Sequence, residues 1–425
     1  MAAMSTPRTD RPRQVTAEEL RRRGWRGRLV VLGPAFVAAV AYVDPGNFAT
    51  NFSAGAGYGY LLIWVIVVAN LMAMLIQSLS AKLGIVTGKN LPEMCREHMP
   101  RWGSRLMWVQ AELVAVATDL AEVIAGAVAL HLLIALQLFT GGLITGVVAF
   151  GLLGLQSRGH RPFERAIVFL LAIILVGLVS TLFRTDVDAG ALAAGLVPGF
   201  AGIDSLMLAT GILGATVMPH VIYLHSALTQ RRLEPRSMAD TRFLLRTGRT
   251  DIMLGMGLAG LVNLSMLIVA AALFAGTDVP ATDTLEGIFA GLATQLDVVA
   301  AYGFAIALLA SGFASSGVGT YAGQVIMAGF LRRRIPLLLR RLLTLAPALV
   351  VLGVGIDPTQ ALVLSQVVLS FGIPFALAPL VWLTARRPVM GEMVNHRLTT
   401  ATAAAVTAVV VALNGVLLWQ TATGG

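Results

Sequence analysis

The sequence predicts an all-α polytopic membrane protein with eleven membrane-spanning helices, of which helices 1 and 6 are broken. Apolar residues make up 57% of the 425-residue chain and charged residues 12%, whereas soluble domains carry roughly 25% charged residues. The apolar residues form runs of about 20 residues, the length of a helix that crosses a bilayer. Two of these runs contain a proline next to polar residues. A separate soluble domain is not expected.

Hydropathy places the spans in order along the chain, between polar loops. The first is expected to be broken at 44–47 and the sixth near 217–219. The expected bounds are 29–56, 60–84, 104–136, 139–156, 164–183, 206–229, 251–276, 298–330, 336–355, 359–385 and 399–419.

The distribution of charge predicts the orientation of these spans. Residues 1–28 are polar and rich in arginine, and they lack the apolar core of a cleavable signal peptide, so they are expected to form a basic cytoplasmic tail. With the N-terminus in the cytoplasm, all but one of the 31 Lys and Arg residues fall on the cytoplasmic side, the exception being Arg184. This bias follows the positive-inside rule and puts the C-terminus outside. The net charge of +9 therefore indicates orientation and contact with anionic lipid, not nucleic-acid binding.

The first apolar segment is interrupted at Asp44-Pro45-Gly46-Asn47. A charged side chain at membrane depth costs at least about 2.5–3.5 kcal/mol, so it is a candidate functional residue by default. Pro45 has no N–H and Gly46 tolerates any φ, which lets the helix unwind and expose carbonyl oxygens. These groups suit a cation site. The alternative is a proline kink beside a hydrogen-bonded aspartate.

The second interruption lies in span six, where Gly214-Ala215-Thr216-Val217-Met218-Pro219-His220 occurs five spans after the first. Taken alone, Met218 is as well explained by core packing and Pro219 by a simple kink. Broken helices at matching positions of two halves predict an inverted-repeat transporter with its site near the membrane midplane. The expected repeats are residues 29–183 and 206–385, followed by an extra eleventh helix at 399–419.

The residue types at the two breaks favour a divalent transition metal as the substrate. Asp44 and Asn47 provide hard oxygen ligands, the unwound segments can provide the carbonyls of Ala41 and Ala215, and Met218 adds a thioether. Sulfur does not favour Mg²⁺ or Ca²⁺, whereas Mn²⁺, Fe²⁺, Co²⁺ and Cd²⁺ can use it. A structural zinc site is not expected, because the chain has one cysteine, Cys95, and no Cys/His cluster.

Titratable residues near this site suggest a route for protons. His220 directly follows the second break and is interpreted as a proton-handling residue, with metal ligation as the alternative. Glu112, Asp119 and Glu122 lie on one stripe of span three. Three acids in a low dielectric need raised pKa values or partners such as Arg340 and Arg341. The stripe is interpreted as a proton path, with a structural ion-pair network as the alternative. Arg340 and Arg341 are equally explained as charges that set the topology.

Three amides within spans, Asn70, Asn263 and Gln366, are explained equally well by hydrogen bonds between helices and by metal ligation. Of these, Gln366 is the candidate metal contact.

The motifs at the two breaks resemble the two signatures of the Nramp (natural resistance-associated macrophage protein) family of divalent-metal transporters. Residues 312–324 resemble the transport motif of that family in span eight, although they depart from its usual Gly-Gln-Ser-Ser-Thr opening. The resemblance extends from about Leu32 to Trp419. It implies a LeuT-like fold of two inverted five-helix repeats plus one helix, in a bacterial cell membrane.

The resemblance also implies proton-coupled uptake of Mn²⁺ and Fe²⁺ by alternating access, without a resident cofactor. By position, Asp44, Asn47, Met218 and the carbonyls of Ala41 and Ala215 resemble the metal ligands of the family. Asp119, Glu122 and His220 resemble its proton-pathway residues, with Arg340 and Arg341 further along. The magnesium-transporting relatives lack the methionine that this chain has at 218.

Other functions stay open at this point. An intramembrane metal-dependent enzyme would need a His/Glu ligand cluster and a general base facing one cavity, which the spans do not offer. A metal sensor that does not transport, and a sodium-coupled amino-acid transporter of the same fold, are the remaining alternatives. Besides metal ions, protons and the bilayer, no protein partner is evident.

Overall fold

The computed structural model describes residues 16–157, 160–230, 233, 235–277, 279, 284–332 and 337–423. These residues form α-helices, two short 3₁₀ helices and loops, and none of them is in a β-strand. The helices in chain order are α1 (Ala17–Arg22), α2 (Trp25–Val31), α3 (Pro34–Ala41), α4 (Pro45–Tyr58), α5 (Ile63–Thr87), α6 (Leu91–His98), α7 (Arg101–Ile134), α8 (Leu138–Ser157), α9 (His160–Leu182), α10 (Ala189–Ala194), α11 (Gly202–Thr216), α12 (Pro219–Thr229), α13 (Met238–Phe274), α14 (Leu285–Gln295), α15 (Val298–Leu331), α16 (Leu337–Val354), α17 (Pro358–Thr384), α18 (Arg387–Met390) and α19 (Arg397–Thr423).

Every segment predicted to span the membrane contains a helix or, at the two breaks, a pair of helices. By length and composition, eight stretches of the described residues are apolar enough to cross a bilayer, and two shorter apolar helices lie at Leu138–Gly151 and Leu342–Val354. The number of spans and the inverted relation of the two repeats remain predictions.

Several helices begin earlier than hydropathy indicated or were not predicted. α13 starts at Met238 rather than at 251, because its first turns carry arginines and continue the helix beyond the apolar run. The part of the basic tail that is described is helical: Leu20 of α1 is buried, and the Arg21 Nε lies 3.2 Å from the Asp240 Oδ1 at the start of α13. A capping box between Thr16 and Glu19 begins α1.

The unwound residues of the first break are 42–44, and the predicted range of 44–47 is wrong. α3 ends at Ala41, Asp44 caps α4, and Pro45 is the first residue of α4, so Asn47 lies in a helical turn. The reason is that proline is favoured at a first helical position, whereas the residue before it avoids the helical conformation. The second break follows the same pattern, because α11 ends at Thr216 and α12 begins at Pro219.

The two broken spans form the centre of the helix bundle. α11 and α12 are almost completely buried and contact α5, α15 and α17, while α4 packs against α13 and α11. Phe48 and Phe52 of α4 meet the ring of Phe304 on α15 edge-on, with centroids 5.9 and 5.1 Å apart. α19 packs on α17 at the periphery and is largely exposed. The bundle therefore encloses both breaks.

A buried aspartate fixes the start of α3. Asp251 on α13 accepts hydrogen bonds from the backbone N–H groups of Gly33 at 3.1 Å and Ala35 at 2.9 Å. The first N–H groups of a helix have no partner within the helix, and a carboxylate there also interacts favourably with the helix dipole. The first half of the first broken span is thereby joined to α13.

Candidate functional site

The two breaks meet through one amide side chain. Asn47 Nδ2 donates to Asp44 Oδ1 at 2.9 Å and to the carbonyl oxygen of Ala215 at 3.2 Å. Asp44 belongs to the first break and Ala215 to the last turn of α11 beside the second. The tertiary structure therefore brings together the segments that the sequence analysis identified.

Asp44 is held in place by the helix that it caps. Its Oδ1 also accepts the backbone N–H of Asn47 at 2.9 Å, which satisfies one of the open donors at the start of α4. The side chain is completely buried, and its Oδ2 has no hydrogen-bond partner among the described residues. One carboxylate oxygen is thus structural, and the other remains available.

Two further buried acceptor oxygens resemble Asp44 Oδ2 in having no donor among the described residues. Within the described part of the chain, Asn47 Oδ1 and Gln366 Oε1 have no hydrogen-bond partner. Gln366 lies on α17 against the first turn of α4, since a Cβ added at Gly46 would meet its side chain. Buried polar atoms in proteins are nearly always paired. Acceptor oxygens without donors around a buried carboxylate are suited to a bound cation.

The carbonyls of Ala41 and Ala215 lose their helical partners through one shared spacing, and Ala215 O accepts the side-chain amide of Asn47 instead. Pro45 lies four residues after Ala41, and Pro219 lies four residues after Ala215. In an α-helix each carbonyl accepts the N–H four residues later, and proline has none. The i, i+4 spacing from alanine to proline at both breaks is the physical reason why these two carbonyls, which the sequence analysis named as candidate ligands, lose their helical partners.

The carbonyls between Ala41 and Asp44 are instead satisfied by neighbouring helices. Ser311 Oγ on α15 donates to Val43 O at 2.6 Å, and Asn263 Nδ2 on α13 donates to Tyr42 O at 2.8 Å. Asn263 therefore bonds between helices and is not aimed at the site as a ligand. Ser311 was not identified from the sequence, because a serine in an apolar helix gives no distinctive signal.

Met218 caps the start of α12 and is completely buried. It lies within the second break, three residues after Ala215. The other predicted ligands are equally enclosed, since Asp44, Asn47, Ala215 and Gln366 are 0% exposed. In this state an ion can enter or leave the site only if the surrounding helices move.

The structure brings His220 close to part of the acidic stripe. His220 in the first turn of α12 is buried, and its Nδ1 lies 3.3 Å from the Thr118 Oγ1 on α7. Asp119 is the next residue on α7 and is 3% exposed. A proton path from the second break to α7 would therefore cross directly from α12 to α7.

The remaining acids of α7 have different surroundings. Glu122 is completely buried, with its carboxylate against Gly319 of α15. Glu112 is only partly buried, and its Oε1 accepts the indole N–H of Trp108 at 3.2 Å. Arg340 and Arg341 belong to α16, but their side chains lie outside the described part of the chain.

The side-chain amide of Asn70 packs against a neighbouring helix and does not belong to the candidate site. A Cβ added at Gly260 of α13 would meet its side-chain amide, so Asn70 of α5 lies against α13.

The donor set is that of a mixed-ligand ion site. Among the described residues there is no group of three or more His, Cys, Asp or Glu side chains that could hold a metal. The candidate ligands are one carboxylate, amide oxygens, two carbonyls and one thioether. Such a weakly charged set is suited to an ion that must be released again, because a cage of several anionic ligands would hold it tightly.

Comparison with known proteins gives consistent similarities over nearly the whole chain. A family model described as natural resistance-associated macrophage protein-like (Nramp) matches residues 35–420. The chain is 53% identical over 399 residues to the divalent metal cation transporter MntH of Deinococcus radiodurans, covering 94% of this chain and 91% of that protein.

Solved structures give the same result at the level of the fold. A crystal structure of the Eremococcus coleocola manganese transporter, in complex with an aromatic bis-isothiourea compound, superposes with a TM-score of 0.83 at 33% identity, covering 92% of this chain and 86% of that one. A nucleobase-cation-symport-1 family transporter in a closed conformation superposes with a TM-score of 0.60 at 16% identity, covering 84% and 79%. The predicted LeuT-like, all-α fold class is confirmed.

Close packing of α11 on α17 generates a prediction about the second break. A Cβ added at Gly214 would overlap the backbone carbonyl of Gln366, which cannot rotate away as a side chain can. We expect Gly214→Ala to lower the free energy of unfolding by about 1–3 kcal/mol through overpacking, measured by thermal unfolding in detergent. The control is Gly257→Ala in α13, where a Cβ meets nothing within 4 Å, and where alanine should stabilise the helix by about 0.5–1 kcal/mol. Equal unfolding temperatures for the two variants would contradict this interpretation of the packing.

Proposed function

The chain belongs to the Nramp family of divalent metal transporters, and we propose that it takes up divalent transition-metal ions, chiefly Mn²⁺ and Fe²⁺, in symport with protons. Cd²⁺ and Co²⁺ are the expected additional substrates. The proposed location is a bacterial inner or plasma membrane, with the N-terminus in the cytoplasm and the C-terminus outside. The activity is transport and not enzymatic catalysis.

The observation that carries the proposal is the unpartnered Oδ2 of the completely buried Asp44 at the junction of both breaks. An ionised carboxylate in a low dielectric needs a compensating charge, and a divalent cation would provide it. Asn47 Oδ1, Gln366 Oε1 and the two carbonyls opened by prolines supply neutral oxygens around it. A single negative charge gives modest affinity, as release on the other side requires.

Met218 supports selection of transition metals over alkaline-earth ions. Its thioether lies at the second break in a fully buried position. Mg²⁺ and Ca²⁺ gain little from a sulfur ligand, whereas Mn²⁺, Fe²⁺, Co²⁺ and especially Cd²⁺ can use one. The methionine thus gives the site a preference for transition-metal ions that oxygen ligands alone would not give.

Alternating access is compatible with the shortness of the helices at the breaks. α3 has eight residues and ends at the first break, and α12 has eleven residues and begins at the second break. Such half-helices can tilt about their unwound ends without breaking a continuous helix. The site would then open to one side of the membrane at a time.

Proton coupling is proposed because the ligand Asp44 can hold either a proton or the metal ion. Metal binding requires the ionised form of Asp44, so a proton held there must leave when the metal arrives. His220 on α12 contacts Thr118 of α7, and Asp119 is the next residue on that helix. We propose that this proton passes towards α7, with Glu122 as a further acceptor on the same helix.

The alternatives make different experimental predictions. A sensor without transport would bind Mn²⁺ but not move it into liposomes. A sodium-coupled amino-acid transporter would depend on Na⁺ and would show no metal flux. An assay of metal flux with a proton readout therefore separates these functions.

Asp44 is expected to be essential for transport. Asp44→Ala should abolish Mn²⁺ uptake into proteoliposomes, because it removes the only carboxylate at the breaks. Asp44→Asn should do the same although asparagine is an equally good helix cap, which separates the effect of charge from that of capping. Asp204→Ala, an exposed acid on α11, is the control and should keep normal uptake. Near-normal uptake by the Asp44 variants would rule out the site.

Met218 is expected to determine selectivity more than affinity for Mn²⁺. In Met218→Ala the oxygen ligands remain, so competition by Ca²⁺ and Mg²⁺ should strengthen about tenfold while Cd²⁺ uptake weakens most. Met256→Ala on α13 removes an equally buried methionine away from the breaks and is the matched control. If Ca²⁺ competes equally with both variants and with the wild type, Met218 is a packing residue.

Asp119 is expected to carry protons and not metal. Asp119→Asn keeps the size and hydrogen-bonding capacity of the side chain but removes the proton acceptor. Metal binding should persist, while proton entry per metal ion and its pH dependence diminish, as followed with a pH-sensitive dye in proteoliposomes. Asp204→Asn serves as the control for losing a carboxylate elsewhere. Unchanged proton entry in Asp119→Asn would mean that the acids of α7 are structural.

A further inference from the structure

A cavity of about 480 Å³ lies away from the two breaks, between α5, α13 and the connection from α17 to α19. Its polar lining consists of Ser78 and Lys82 on α5, Arg249 on α13, and Glu392, Asn395, His396 and Thr399 on the connection and the first turn of α19. The proposed transport assigns no role to this cavity.

Lys82 is positioned by a chain of hydrogen bonds. Its Nζ donates to Asn395 Oδ1 at 2.7 Å. The amide of Asn395 is oriented in turn, because its Nδ2 donates to Thr384 Oγ1 at 2.9 Å and its backbone N–H to Thr384 O at 3.1 Å. An ammonium group has three donor hydrogens, and this contact uses one of them. Lys82 is therefore a fixed, half-buried cation with donors left for a ligand.

Lys82 and Arg249 line the same cavity, and one carboxylate, that of Glu392, offsets only part of their charge. Neither cation forms an ion pair with a described residue. The formal charge of Lys82, Arg249 and Glu392 together is therefore +1. Like charges held together are stabilised by an anion that accepts hydrogen bonds from both.

The surface next to the cavity is apolar and faces outward. Leu71 lies one turn from the lining residue Leu75 on α5, and Met253 one turn from Arg249 on α13; they are 60% and 66% exposed. Relative to Lys82 and Arg249, both lie towards the middle of their apolar helices. Cationic groups at the end of an exposed apolar strip are the arrangement that fits a phospholipid headgroup and its acyl chains.

We propose that this cavity binds the phosphate group of an anionic phospholipid, held by Lys82 and Arg249, with acyl chains along Leu71 and Met253. Such a lipid would join α5, α13 and the connection between α17 and α19. Free phosphate offers the same group but gains nothing from the apolar strip, so the lipid is the expected source.

The experiment measures lipid binding to the delipidated full-length protein in a neutral detergent by native mass spectrometry. Phosphatidylglycerol is titrated in one arm, zwitterionic phosphatidylcholine in a second and inorganic phosphate in a third. Each cation near a membrane contributes a factor of about five to the binding of anionic lipid, so Lys82→Gln/Arg249→Gln should weaken phosphatidylglycerol binding about 25-fold. Arg249→Gln alone should weaken it about fivefold, and because Arg249 is exposed its loss should leave folding intact.

Two controls separate a specific site from general attraction. Arg101→Gln/Arg105→Gln removes two exposed cations from the start of α7, away from the cavity, and should change binding less than twofold. Glu392→Gln removes the one carboxylate of the lining and should tighten binding about fivefold, a gain that misfolding cannot produce. Equal losses in both double variants, an unchanged affinity in Glu392→Gln, or displacement of the lipid by an equal concentration of inorganic phosphate would overturn the proposal.

Discussion

The structure depends on how it accommodates two interruptions of helical hydrogen bonding within a membrane. In hydrocarbon every backbone N–H and C=O must find a partner inside the protein. Pro45 and Pro219 each remove one such partner at the centre of the bundle. The neighbouring helices are arranged around these positions, so the breaks lie in the most buried part of the molecule.

Side chains satisfy some, but not all, of the polar groups at the two breaks. Ser311 and Asn263 satisfy the carbonyls of Val43 and Tyr42, and Asp44 caps the helix that follows. Other acceptors, including one oxygen of Asp44, have no such partner among the described residues. At Asp44 Oδ2, Asn47 Oδ1 and Gln366 Oε1 a cation would meet no competing donor among the described residues, whereas it would share Ala215 O with the Asn47 amide. This separation of structural from available oxygens is the physical basis on which reversible ion binding is proposed.

The acids on α7 differ in their surroundings, and this favours separate groups for the proton and for the metal ion. Asp119 lies beside Thr118, which contacts His220 of the second broken span, whereas Glu112 is bonded to Trp108 and is nearer the end of the helix. A proton released at the breaks would have a titratable neighbour on another helix, while the proposed metal ligands lie on the broken spans and, in the case of Gln366, on α17. Separate groups for the two ions would allow their movements to be coupled without requiring one common path.

The sequence by itself determined the fold class, the approximate spans and the two breaks, because hydropathy and proline act locally along the chain. It also identified Asp44, Asn47 and Met218, whose chemistry is unusual in an apolar helix. It misplaced the first break, since helix capping moved the unwound residues to 42–44, and it missed the polar extension of α13. Only the tertiary structure decided that Asn47 joins the two breaks, that Gln366 lies against α4, and that Ser311 and Asn263 satisfy carbonyls. These contacts join residues 168 to 320 positions apart, and such pairs are fixed by the packing of helices and not by any local pattern.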